Sequence, residues 1–192
     1  MVETGEQVVE RQFGDVSIPI LVAMAGLPAA GKTTIAEVIG ARLNATIVSV
    51  DPIESSILQA GIAPDQPTGL AAYLVAGTLA EQVLMSGRTV VVDAVNAVEP
   101  ARLQWRELAA RADVALRVIE VVCSDEGLHR RRLEKRIQQL PQLQEKSRRA
   151  VEQSLEDYQE WKGAAASLPR ITLDTVAPLG QNVAAALAFL DR

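Results

Sequence analysis

Short apolar runs alternate along this chain with longer stretches of mixed polarity. Ile18–Met24, Thr46–Val50, Thr89–Val92, Ala115–Val122 and Arg170–Leu173 are dominated by aliphatic and β-branched residues and read as five strands. Apolar residues follow one another in these runs without polar alternation, which is the pattern of strands covered on both faces. The stretches between them carry helical period, so the passages from strand to strand are right-handed crossovers and the sheet is parallel. The pattern predicts an α/β fold in three layers, a five-stranded parallel sheet with helices on both faces.

Helix boundaries are written in local chemistry. Asp51-Pro52-Ile53-Glu54 offers a cap, a proline in the first turn and a glutamate placed to close a capping box. Thr68 and Ser124 are candidate caps for two further helices, and Glu99-Pro100 opens one running to Arg111. Gln142–Trp161 reads as a long polar helix stopped at Gly163, and Gly61–Gly69, with Pro64 and Pro67, as a loop. No repeat, low-complexity tract or long linker interrupts the pattern, so residues 1–192 are expected to form a single domain. The first fifteen residues are acidic apart from Arg11 and read as a loose lead-in or an extra edge element.

Composition narrows the function. With 192 residues, 48% of them hydrophobic and 22% charged, the chain has the make-up of a globular domain. A net charge of -5 gives no long-range attraction to nucleic acid or to an anionic membrane, so neither is an expected partner. Aromatic residues, at 3%, leave little from which to build a stacking platform for single strands. No apolar run reaches the roughly 18 residues of a spanning helix, because Ile18–Ala25 and Leu70–Ala80 end at polar or glycine positions. The single cysteine, Cys123, forms no intramolecular disulfide, which suits a reducing cytoplasm. With one histidine, His129, a Cys/His metal cluster is out of reach.

The strongest chemical signal is Gly26-Leu27-Pro28-Ala29-Ala30-Gly31-Lys32-Thr33, which fits G-x-x-x-x-G-K-[ST] and stands between a strand and the helix Thr33–Leu43. Such a loop turns backbone N–H groups toward phosphate oxygens at the positive end of a helix. Gly26, Ala29, Ala30, Gly31, Lys32, Thr33 and Thr34 are therefore the expected ATP-binding set. Lys32 is placed to reach the outer phosphates and Thr33 to offer its hydroxyl to Mg²⁺. The fold expectation sharpens to a P-loop nucleoside-triphosphate hydrolase fold. A guanine-specific N-K-x-D or T-K-x-D sequence is absent, and no second domain stands ready to turn hydrolysis into movement.

Other residues must choose the reaction. Asp51 ends the second strand, where it is either the base that orients and deprotonates an acceptor hydroxyl or simply a helix cap. Asp93 closes Thr89–Val92 and is a candidate Mg²⁺ or acceptor ligand beside Thr33. Asn96 either bonds the acceptor or stabilises its turn. Arg132 and Arg136, four apart in a basic stretch, are a phosphate clamp or part of a solvated helix face. His129 has no partner motif and is assigned no role; Cys123, Trp105 and Trp161 read as packing residues.

These residues together resemble the small P-loop kinases of the polynucleotide-kinase and zeta-toxin type, an AAA-type ATP-binding group akin to gluconate kinases and chloramphenicol phosphotransferases. The likeness rests on the P-loop, on Ser49-Val50-Asp51, on Val91–Asn96 with Arg102 downstream, and on Arg132-x-x-x-Arg136, spanning Ile18 to about Arg136. It implies that Asp51 is the acceptor-side carboxylate, that Arg102 binds substrate or fixes the strand-end loop, and that Arg132 and Arg136 belong to a helical lid over ATP, about residues 125–150. Members acting on phosphorylated or nucleic-acid ends often carry an arginine soon after the aspartate. Here Glu54 follows instead, which points to a neutral or cationic acceptor such as a sugar, a nucleoside-like compound or an antibiotic. Gly61–Met85 is where acceptor pockets diversify in such kinases.

Three outcomes follow from this reading. One is a phosphotransferase moving the γ-phosphate of Mg-ATP to a hydroxyl of a small molecule. Another is an ATP-binding switch or slow ATPase that engages a protein partner. A toxin-like kinase acting on a nucleotide-sugar precursor is a special case of the first.

Overall fold

A computed structural model of the chain describes residues 18–63, 65–138 and 156–191. Five strands, β1 (Ile20–Ala25), β2 (Thr46–Ser49), β3 (Val90–Asp93), β4 (Ala115–Val122) and β5 (Arg170–Asp174), form one sheet in the order β2-β3-β1-β4-β5. Every neighbouring pair is parallel. Each strand lies within two residues of its expected ends.

The unbroken apolar runs are explained by period-two sorting onto two cores. Leu21, Ala23, Ala25, Val90, Val92 and Val118 face one side. Val22, Met24, Val91, Ile119 and Val121 face the other. Among the described residues the α-helices are α1 (Lys32–Leu43), α2 (Val50–Gln59), α3 (Thr68–Met85), α4 (Glu99–Arg111), α5 (Glu126–Gln138) and α6 (Leu179–Leu190). Ile35, Ala36 and Ile39 of α1 join Ala186 and Leu190 of α6 over one core, and the alanine row Ala72, Ala76, Ala80 of α3 joins Trp105 and Leu108 of α4 over the other. Winding reverses beside β1, between β3 and β4, so the carboxyl ends of these strands open the crevice in which such sheets bind ligands.

Several helix starts differ from expectation. Asp51 is no cap: α2 starts at Val50 with Ser49 as its N-cap, and Asp51 lies in the first turn. The capping box is absent because Glu54 accepts a hydrogen bond from Thr68 Oγ1 at 2.9 Å. Thr68 is itself the first residue of α3, behind Pro67. At α5 the carboxylate of Asp125, not Ser124, accepts the Leu128 N–H at 2.8 Å.

The helix expected over Gln142–Trp161 lies mostly outside the described residues, but Asp157–Trp161 is not helical. There the chain is drawn out by Glu120, whose carboxylate accepts hydrogen bonds from Tyr158 Oη at 2.9 Å and Trp161 Nε1 at 2.6 Å. Finally, α3 is long and apolar enough to cross a membrane by length and composition, with mean hydropathy 1.2 over 18 residues. Its glycines and Thr78 lie inside the helix and do not end it.

Candidate functional site

The P-loop joins β1 to α1, and its glycines are required by contact as well as by conformation. Gly26 has φ 132°, and a Cβ there would stand 2.1 Å from the Val121 carbonyl oxygen. Gly31 has φ 104° and lies under the Thr175 methyl group, 3.0 Å from where a Cβ would be. Gly26 N–H donates to Val95 O at 3.0 Å, tying the loop to the segment that follows β3.

Lys32 is 7% exposed and its ammonium donates to the carbonyls of Gly26 and Leu27, both at 2.9 Å. Burial lowers its pKa, while the carboxylates of Asp93 and Asp51 act in the opposite direction. Thr33 Oγ1 donates to Asp93 Oδ2 at 2.6 Å. Asp93 is buried at the end of β3, and burial raises its pKa against the Thr33 hydrogen bond and the Lys32 charge. Thr34 follows, exposed, in the first turn of α1.

Helix α5 is fastened beside this loop by three residues of one face. His129 Nε2 bonds Pro28 O at 2.8 Å, Arg132 Nη1 donates to Thr175 Oγ1 at 2.8 Å, and Arg136 Nη2 meets Asp51 Oδ2 at 2.5 Å. Positions i, i+3 and i+7 share a helix face, whereas Arg130, Arg131, Glu134 and Lys135 are exposed. Thr175 Oγ1 also donates to Ala30 O at 2.7 Å, so Arg132 is linked to the P-loop through the turn after β5. Arg132 and Arg136 thus share a face but reach different partners, one beyond β5 and one on α2.

Asn96 and Arg102 each take the structural one of the two roles open to them. Asn96 is 1% exposed with φ 50°; its Nδ2 donates to Met24 O at 2.6 Å and its Oδ1 accepts from Trp105 Nε1 at 2.8 Å. It stabilises its turn. Arg102, 2% exposed, donates to the carbonyls of Asn96, Ala97, Gln159 and Glu160, and its guanidinium lies 4.0 Å from the Trp161 ring centroid. Four of its N–H donors are taken by carbonyls inside the protein, so it fixes the strand-end loop.

Three participants had escaped the sequence reading. Tyr73 on α3 accepts the Asn96 N–H at 2.9 Å, and burial first, with the charges of Asp51 and Glu54 behind it, pushes its hydroxyl up to about 12. No motif marks it. Thr175 is likewise an unmarked loop residue. His129 was legible, because its spacing from Arg132 and Arg136 places it on their face.

A phosphate loop, a strand-end carboxylate bonded to the loop's threonine, and an arginine-bearing helix resting on the loop define a nucleotide-binding fold of the small P-loop kinase type. The chain belongs to the AAA domain family, whose sequence profile matches residues 21–161. No curated protein matches it in sequence. Among solved structures, it is similar to a gluconokinase from Sinorhizobium meliloti, with TM-score 0.63 and 20% identity over 91% of this chain and 93% of that one. The Mycobacterium tuberculosis APS kinase CysC in complex with AMPPNP and APS gives TM-score 0.65 and 18% identity over 91% and 98%. Kti12 of Chaetomium thermophilum in complex with ADP-AlF3 gives 0.66 and 20% over 88% and 97%.

Proposed function

We propose that the chain is an ATP-dependent phosphotransferase that moves the γ-phosphate of Mg-ATP to a hydroxyl of a small-molecule acceptor. The observation that carries this reading is the Asp51–Arg136 ion pair, 2.5 Å long. It sets a carboxylate able to take a proton beside a guanidinium able to hold phosphoryl oxygens, within electrostatic reach of Lys32.

On this reading residues 1–192 form one kinase-like domain, and Gly26, Ala29, Ala30, Gly31, Lys32, Thr33 and Thr34 hold the triphosphate. Lys32 exchanges its two carbonyl partners for the outer phosphates. The Thr33 hydroxyl and Asp93 carboxylate are the hard oxygen donors that Mg²⁺ takes, and when bound with ATP the ion supplies positive charge to the phosphate oxygens. Asp51 orients the acceptor hydroxyl and accepts its proton. Arg132 and Arg136, on the described part of a lid at about 125–150, steady the phosphoryl oxygens as charge shifts toward the leaving group.

Asp51 and Glu54 on α2 both bear on Tyr73, so the acceptor side is acidic and favours a neutral or cationic alcohol over an anion or a nucleic-acid end. Neither nucleic acid nor a membrane is a partner in this scheme. Cys123 is a free thiol, which is consistent with a reducing cytoplasm.

The test is incubation with Mg-ATP and pooled sugars, nucleosides and aminoglycoside-like alcohols, read by phosphorus NMR with Lys32→Ala as the control. A new phosphate ester that Lys32→Ala fails to make is the expected result. Inorganic phosphate as the sole product, or tight ATP binding without turnover, would replace the kinase reading with the nucleotide switch.

A further inference from the structure

We infer that the chain forms a two-fold dimer through the outward face of α3. This helix has two rows at i, i+4 spacing. The inward row, Thr68, Ala72, Ala76, Ala80 and Leu84, is buried under the sheet. The outward row is Leu70, Leu74, Thr78 and Gln82, with Met85 at its end. Leu70 and Leu74 are each 61% exposed and Met85 81%, with Val75 and Leu79 exposed beside them.

A helix at a protein surface ordinarily turns charged residues outward. Here the only charged residue among the 18 is Glu81, which is turned aside to Arg111 of α4 at 3.4 Å. Leu79 continues the apolar face into a shallow groove of about 520 Å³ that Ile47, Ile53, Gln82 and the charged Arg88 also line. With Ile47 and Ile62 included, the exposed apolar side chains present on the order of 600 Å², the top of the range for the largest patch on a typical monomer, a patch that is often functional.

A second copy is the occupant these features favour. An area near 600 Å² approaches the roughly 800 Å² per partner of a standard stable interface. The outward row of α3 carries no charge, so two copies can meet along it across a two-fold axis with no like charges opposed. Antiparallel pairing of the two α3 helices also sets each positive end against a negative one. A bilayer surface is the poorer fit, since helices that lie on membranes carry Lys or Arg along their polar side, and α3 has neither. The groove of the pair would be flanked by the Glu81–Arg111 bridges, a polar rim around an apolar centre.

Light scattering on the full chain from about 1 to about 100 μM tests this directly, a range that brackets micromolar affinity. The expected mass is twice 20.6 kDa at the upper end, falling to 20.6 kDa in Leu74→Glu. Leu74 is mostly solvent-exposed, so this variant should melt with the wild type. Thr78 lies midway along the row and meets its own copy at the axis. In a Cys123→Ser background, Thr78→Cys should therefore give a disulfide-linked dimer under mild oxidation, which decides the matter even if Leu74→Glu fails to fold. A wild type that stays at 20.6 kDa throughout, a dimer indifferent to Leu74→Glu, or a Thr78→Cys protein that does not cross-link would each overturn the proposal. Monomers that sediment with neutral lipid vesicles would assign the face to a membrane instead.

Discussion

Arg136 and Asp51 stand 2.5 Å apart, and their pairing fastens α5 to the first turn of α2 beside the phosphate loop. Neither side chain is deeply buried, at 38% and 53% exposure, so the pair contributes at most about 1 kcal/mol to stability. Its value is therefore in placement.

Asp51→Asn tests whether this aspartate takes part in the chemistry. Asparagine keeps the shape and removes the base, and the N-cap of α2 is Ser49, which the substitution leaves in place. Turnover should fall by about 10²- to 10⁴-fold, the usual range for a general base. Thermal denaturation should leave the melting temperature nearly unchanged. Retained turnover would remove Asp51 from the chemistry.

Gly26→Ala should damage the nucleotide site without touching a charged group. Its methyl would be pressed to 2.1 Å from a backbone carbonyl in β4, which cannot move aside as a flexible side chain would. The loop or the strand end must shift, at a cost of at least about 2 kcal/mol. Chemical denaturation should register that loss, and calorimetric titration should find ATP affinity reduced at least tenfold. Gly77→Ala makes a control, as nothing lies within 4 Å of where its Cβ would be.

Strand positions and the P-loop were legible in the sequence because each is set by neighbours in the chain. Continuous runs such as Val90-Val91-Val92 require burial on both faces, and the glycine spacing of the loop is local geometry. Helix starts were less legible, because Glu54 could close a box on its own helix or bond Thr68 on the next, and only tertiary placement chooses. Whether Arg102 binds substrate or fixes the strand-end loop was open for the same reason. Its partners at Gln159 and Glu160 are nearly sixty residues away. Tyr73 and Thr175 belong to no motif, so the fold alone brings them to the site.

Asp93 gives the site a pH signature. In the proposed role of cation ligand beside Thr33 it would have to be ionised, and burial raises its pKa. The acid limb of kcat/KM for Mg-ATP should consequently lie above the ordinary carboxylate range, with affinity lost as pH falls through that raised value. Asp93→Asn should bind Mg-ATP weakly at every pH and show no such limb. An acid limb unchanged in Asp93→Asn would assign the titration to another group.

Glu120 should govern stability in the opposite sense. Burial alone would raise its pKa, but hydrogen bonds from Trp161, Tyr158 and Thr172, together with the Arg170 charge, reverse this and hold it below the ordinary value. A carboxylate with a depressed folded-state pKa stabilises the protein above its unfolded pKa, near 4.5, and that contribution disappears as pH falls through the folded value. Glu120→Gln leaves Arg170 without its ion-pair partner. Because Arg170 keeps 27% exposure, the loss at pH 7 should be about 2 to 3 kcal/mol, at or below the low end for breaking a fully buried pair. Denaturant titrations should find the gap between wild type and variant shrinking as pH drops below 4.5. Turnover should fall far less than in Asp51→Asn, since Glu120 anchors Tyr158 and Trp161 while Arg102 still holds Gln159 and Glu160 beside the Asn96 turn. A gap that stays constant down to acidic pH would mean that the shape of Glu120, and not its charge, is what the fold uses.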